Sequence, residues 1–184
     1  RPRIFLPAGH AGLIDFYRDY IASGRLERGD GTLIAATVDR DLLNAHKADP
    51  LARFTHVPDR SRPPTATVYA RLDRAPVDLG GAGVRQFAFL TYHAVFRHSG
   101  LPAGFDGLAA LALGVLGDLD DWHQLDHYTA ATVVLDEEER PIALMLQQHS
   151  YLHTFVLGES LPRPPDGRVA IDVAIRSNEL YPHT

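Results

Sequence analysis

The sequence predicts a mainly β protein: an antiparallel β-sandwich with two or three peripheral helices, forming a single domain over residues 1–184. Three observations lead to this fold class. Short apolar runs separated by turn residues fill most of the chain after residue 64. Strict period-two alternation covers residues 169–176, and helical spacing is confined to the first fifty residues.

Two helices are predicted near the start of the chain. Apolar residues recur at helical spacing over residues 13–23, and Gly24 follows as a stop. Asp39 is a suitable N-cap for a second, shorter helix, which Asp49-Pro50 would end. Together they predict N-terminal helical decoration of the sandwich over about residues 11–50.

Strands are predicted from residue 65 onward. The run 84–96 is apolar on both of its faces, which is typical of a strand covered on both sides. Residues 101–117 mix glycine, proline and small apolar side chains, and they favour either a short buried helix or a long loop. The predicted strands lie at residues 65–72, 84–96, 128–135, 141–148 and 151–157.

Composition excludes several classes of function. A net charge of -5, with no run of basic residues, argues against a nucleic-acid-binding surface. The absence of cysteine removes disulfides, thiolate metal sites and cysteine nucleophiles. The longest apolar stretch, residues 108–116, is too short to span a bilayer. The chain opens at Arg1 without a methionine, which favours either a processed product or a boundary without meaning.

The ten histidines point to the one candidate site. His123 and His127 are four residues apart, a spacing that places both side chains on one face of either a strand or a helix. Asp121 joins that face if the segment is extended. More carboxylates and a second histidine pair at the same spacing lie nearby in the sequence: Asp118, Asp120, Asp126, His149 and His153.

Imidazole and carboxylate side chains gathered in one pocket predict a divalent metal ion. Neutral imidazole and carboxylate are good ligands for zinc and similar ions. Carboxylates held close together repel one another unless a cation offsets their charge. The alternative interpretation is a polar loop, in which aspartate side chains tie the turn. A histidine in an apolar strand, such as His93, is more often a hydrogen-bonded core residue.

Short motifs carry a resemblance to a known group. Asp121-Trp122-His123, the strand-like residues 132–136, Arg140-Pro141 and Gln148-His149-Ser150 follow one another in order. They resemble the Asp-Trp-Glu, strand, turn and Gln-His-Gly series of the necrosis-inducing (Nep-like) proteins and the vacuolar-protein-sorting-associated sixty-two group. Residues 173–182 resemble the closing motif of that group, so the likeness spans most of the chain.

This resemblance implies a β-sandwich with a divalent cation at the Asp-Trp-Glu motif. Asp121 matches the aspartate of the motif, and His149 matches the histidine of the Gln-His-Gly strand. The chain departs from the group at two positions, where His123 replaces a glutamate and Asp118 replaces a histidine. His98 lies near the position of the upstream aspartate of the group's cation site. A second register, with the motif at residues 126–128, stays open.

The sequence therefore predicts an extracytoplasmic metal-binding β-sandwich domain, periplasmic, secreted or membrane-tethered. Hydrolysis at the metal is one extension of this prediction, and whether the protein is an enzyme stays open. The predicted ion is zinc, copper or calcium/magnesium, and the sequence does not decide among them. The alternatives are a module that binds a glycan or lipid head group and a non-catalytic accessory domain of a membrane-anchored protein. The predicted ligands are Asp118, Asp121, His123, His127, His149 and His98.

Overall fold

The protein is mainly β, with several antiparallel sheets and short helices, so the predicted sandwich-like fold class is confirmed. The computed structural model describes residues 2–10, 12–56, 63–97, 126–148, 151–175 and 177–183. In chain order, the strands of these residues are β1 (Arg3–Phe5), β2 (Gly24–Arg28), β3 (Leu33–Ala35), β4 (Ala52–His56), β5 (Val68–Asp78), β6 (Val84–Phe96), β7 (Asp126–Leu135), β8 (Pro141–Gln148), β9 (Tyr151–Val156), β10 (Ala170–Val173) and β11 (Leu180–Pro182).

The chain divides into two compact units. One comprises Gly12–Thr67, and the other comprises Arg1–Ala11 together with Val68–Thr184. The smaller unit holds the helical turns that the structure describes before β5. The single domain over residues 1–184 and its helical decoration over about residues 11–50 stay predictions.

The smaller unit contains a three-stranded sheet in the order β3-β2-β4. Asp39 caps a helix, α1 (Arg40–His46), by accepting from the backbone N–H of Leu42 at 2.8 Å, as predicted. The helix predicted over 13–23 starts later, because Asp15 accepts from two backbone N–H groups and caps a π-helical turn, Phe16–Tyr20, which a 3₁₀ turn, Ile21–Ser23, continues. The core of this unit holds the buried side chains of Ile21, Leu26 and Val38.

The larger unit is built on a five-stranded antiparallel sheet in the order β5-β6-β7-β8-β9. The β5–β6 and β7–β8 hairpins are short because turn residues lie where the chain reverses. Gly80 and Gly83, both at positive φ, close the β5–β6 connection. Asp136 closes the β7–β8 turn by accepting from the backbone N–H of Arg140 at 2.8 Å and of Glu138 at 3.1 Å.

A second sheet of the larger unit has the order β1-β10-β11, with β1 parallel to β10. Two side chains of the five-stranded sheet bond to the segment around β11. Tyr128 Oη donates to the Ser177 carbonyl oxygen at 3.1 Å, and Gln148 Nε2 donates to the Leu180 carbonyl oxygen at 2.6 Å. The core of the unit includes residues from both sheets, among them Phe96, Leu144, Leu146, Ile171 and Leu180.

The predicted strands 84–96 and 141–148 are confirmed to the residue. The strand predicted over 65–72 is displaced: it begins at Val68 and continues to Asp78. Residues 101–117, for which the sequence predicts either a short buried helix or a long loop, lie outside the described residues. None of the helices that the structure describes has the length and apolar character needed to cross a membrane.

Candidate functional site

His127, near the start of β7, is the one predicted metal ligand that falls within the described residues. Its side chain is exposed. The other predicted ligands lie outside those residues, and the structure tests neither their positions nor their convergence: Asp118, Asp121, His123, His149 and His98.

The partner of His127 is His93, on the neighbouring strand β6. Nδ1 of His93 and Nε2 of His127 are 3.1 Å apart, within hydrogen-bond distance. The two rings are stacked, with centroids 5.3 Å apart and planes inclined by 15°. One ring nitrogen donates to the other, and the tautomers decide which. The pair therefore brings two imidazole nitrogens to one point on the sheet.

A one-residue β-bulge in β7 makes this contact possible. Tyr92 pairs with Ala131, but His93, the next residue of β6, pairs with Thr129. Ala130 is thus the extra residue of β7, and its side chain is fully buried. Along the part of β7 that precedes Ala130, a bulge of this kind reverses which side chains point to each face of the sheet.

The bulge brings His127 to the face that carries His93. In an antiparallel pair, directly opposed residues share a face, and His127 lies opposite Val95. Without the bulge, Tyr128 would take that place, and His127 would point to the core. With the bulge, Tyr128 is 6% exposed and bonds to the Ser177 carbonyl oxygen instead.

Charged and hydroxyl side chains surround the pair. Thr91 shares the face of His93, and its Oγ1 lies 3.1 Å from Oγ1 of Thr132 on β7. Arg71 lies opposite Thr91 on β5, where its guanidinium binds the carboxylate of Asp73 at 2.8 Å. A guanidinium with its paired carboxylate therefore borders the histidine pair on the β5 side.

The surroundings of His93 favour its neutral form. Burial of the imidazole lowers the pKa of His93, and repulsion from His127 and Arg71 lowers that pKa further. The ring thus keeps a nitrogen lone pair at and below neutral pH, which is the form that accepts a hydrogen bond or binds a metal ion.

Nothing else in the described ranges joins the pair to make a group of three His, Cys, Asp or Glu residues suited to a metal ion. His153, which lies near the predicted ligands in the sequence, is on the other face of the sheet. It pairs with Leu146, which follows Met145 on β8, and Met145 shares the face of Thr132 and His93. The register therefore places His153 on the opposite face from His93.

The sequence did not identify His93 as a partner of His127. The spacing argument weighed residues along one segment, and His93 was assigned to the core as a hydrogen-bonded residue. Alternation alone gave no signal, because His93 shares its face with Phe87 and Phe89, and only the structure shows that these two side chains are partly buried. The bulge that turns His127 toward His93 has no signature in a pair of alanines.

Comparison of the chain with protein-family models, curated proteins and solved structures finds no significant match. The resemblance to the necrosis-inducing group therefore stays a prediction.

Proposed function

We propose that the domain binds a divalent transition-metal ion, with His93 Nδ1 and His127 Nε2 as its protein ligands. The observation that supports this most directly is the 3.1 Å separation of the two nitrogens on a partly exposed sheet face. The proposal uses these two residues alone.

The separation suits a shared ion. Zinc–imidazole bonds are about 2.0–2.1 Å long, so two nitrogens 3.1 Å apart subtend roughly 100° at a common metal. That angle lies between the square-planar and tetrahedral values that copper, nickel and zinc adopt. The ion would replace the single proton that the two nitrogens now share.

The choice of ion follows from the donors. Two imidazoles favour zinc, copper(II) or nickel(II), whereas calcium and magnesium require mainly oxygen ligands. An ion held by two imidazoles keeps further coordination positions for water or for other ligands. Because the proton and the metal compete for the same lone pairs, binding should strengthen as the pH rises. The lowered pKa of His93 extends the range of pH over which its lone pair is available.

Titration calorimetry with Zn²⁺, Cu²⁺, Ni²⁺ and Ca²⁺ tests the proposal. We expect binding of at least one transition metal, no comparable binding of Ca²⁺, and a loss of affinity of about tenfold or more in His93→Gln and in His127→Gln. His153→Gln, on the opposite face of the same sheet, is the matched control and should bind as the wild type does. Electron paramagnetic resonance of the Cu²⁺ complex should show two coupled nitrogens.

Two results would overturn the proposal: no binding of any of the three transition metals, or binding that survives the double substitution of His93 and His127. Circular dichroism of each variant separates a lost ligand from a lost fold. Metal-dependent hydrolysis, recognition of a glycan or lipid head group, an accessory role and an extracytoplasmic location stay predictions. No contact among the described residues favours any of them.

A further inference from the structure

A cavity of about 410 Å³ lies in the larger unit, beside the β1–β10 pair and away from the two histidines. Its volume is within the range of pockets that hold small molecules. Three arginines line it, Arg3, Arg163 and Arg168, together with His183. The lining is therefore rich in basic residues, although the chain has a net charge of -5.

The basic residues of the cavity differ in how they are paired. Among the described lining residues the one carboxylate is Asp166, which binds Arg3 Nη2 at 2.6 Å. Arg163 makes only a 3.5 Å contact from Nη1 to the Pro141 carbonyl oxygen, and within the described ranges it has no carboxylate partner. Arg163 is therefore the cation best placed to receive an anion.

The rest of the lining is apolar and held in place. Leu157, Leu161 and Val169 are 2%, 9% and 4% exposed, and all three contribute to the wall. Pro162, Pro164 and Pro165 form part of the rim, where their fixed φ angles limit the freedom of the loop. A wall of this kind would take up an apolar group with little reorganisation.

His183 is also fixed in orientation. Its Nδ1 lies 2.9 Å from Asp172 Oδ1, and its ring stacks on Phe5 with centroids 4.4 Å apart. His183 is far from the three prolines in the sequence, but it lines the same cavity.

We propose that this cavity binds a small-molecule carboxylate that carries an apolar body. Guanidinium and carboxylate groups match in geometry and form two parallel charge-assisted hydrogen bonds. The leucine and valine side chains receive the apolar body, and burial of that body contributes the rest of the affinity. This site is independent of the histidine pair, and neither proposal relies on the other.

Calorimetric titration with four probes tests the inference: 4-phenylbutanoate, acetate, 4-phenylbutanamide and phenyl phosphate. Acetate keeps the carboxylate and lacks the body, and the amide keeps the body and lacks the charge. We expect 4-phenylbutanoate to bind at least about tenfold more tightly than either. Tighter binding of phenyl phosphate would overturn the assignment to a carboxylate.

Two variants locate the binding. Arg163→Gln should weaken 4-phenylbutanoate binding about tenfold or more, and Arg168→Gln provides a second test if the first variant is poorly folded. Arg85→Gln, on an exposed position of β6 outside the cavity, is the matched control and should leave the affinity unchanged. The inference is wrong if 4-phenylbutanoate fails to bind at about 10 mM, or if both cavity variants bind it as tightly as the wild type does.

Discussion

The two faces of the five-stranded sheet carry different chemistry on the same strands. On β6, the core face presents Ala88, Tyr92, Ala94 and Phe96, all of them buried. The histidine face presents Phe87, Phe89, Thr91 and His93, all of intermediate exposure, and it ends at the buried Val95. One face excludes water and stabilises the fold, whereas the other retains groups that titrate and can bind ligands.

The comparison shows that register, more than residue type, decides which side chains carry chemistry. His127 and Tyr128 are neighbours in the sequence, yet one faces His93 and the other bonds to the Ser177 carbonyl oxygen. The extra residue Ala130 sets this assignment. Four changes that each act on one face should therefore have effects of very different size.

The largest expected effect comes from β8, where two adjacent residues compare the two faces directly. Leu144 is fully buried, so Leu144→Ala should cost about 2–5 kcal/mol in the free energy of unfolding. Met145 points to the histidine face and is only partly buried, so Met145→Ala should cost less than half as much. Equal losses in urea unfolding would show that the two faces are equally buried.

The sequence predicted the strands whose apolar runs are long and bounded by turn residues. β6 and β8 match to the residue because Gly83 precedes one run, and the polar turn that ends at Arg140 precedes the other. The shorter strands β2, β3 and β4 were not predicted, since a run of three to five residues is too short to show a period. Their pairing depends on contacts between distant segments.

The candidate site was predictable only in part, for the same reason. His127 was identified from its spacing to His123, but His93 was not, because the contact between them depends on inter-strand register and a bulge. The role of the predicted ligands that lie outside the described ranges stays a prediction, and so does the bound cation. Spacing along one strand can be read from the local sequence, but pairing between strands depends on segments that are distant in the sequence.

Tyr128→Phe isolates one bond between the core face and the β11 segment. It removes the hydrogen bond to the Ser177 carbonyl oxygen while leaving the aromatic ring in place. The loss in the free energy of unfolding should be about 1 kcal/mol, the net value of a buried hydrogen bond. Thermal unfolding would reveal it, and a variant as stable as the wild type would show that the bond contributes nothing.

The smallest expected effect is a change in the pH dependence of stability on the histidine face. The folded protein holds the pKa of His93 below 6.5, mainly through burial, so the unfolded chain takes up this proton at a higher pH than the folded chain does. The contribution of His93 to stability is therefore complete above pH 6.5 and decreases as the pH falls toward the lowered pKa.

His93→Gln should consequently lose less stability than the wild type between about pH 7.5 and pH 5, since glutamine has no proton to take up. All carboxylates are common to both proteins, so the difference between the two slopes reports on His93 and on the repulsion it experiences from His127 and Arg71. Thr91→Ser, on the same strand and face, should keep the wild-type slope. Parallel slopes for His93→Gln and the wild type would mean that His93 binds its proton equally well in the folded and unfolded chains, and the histidine face would then differ from the core face in exposure but not in protonation.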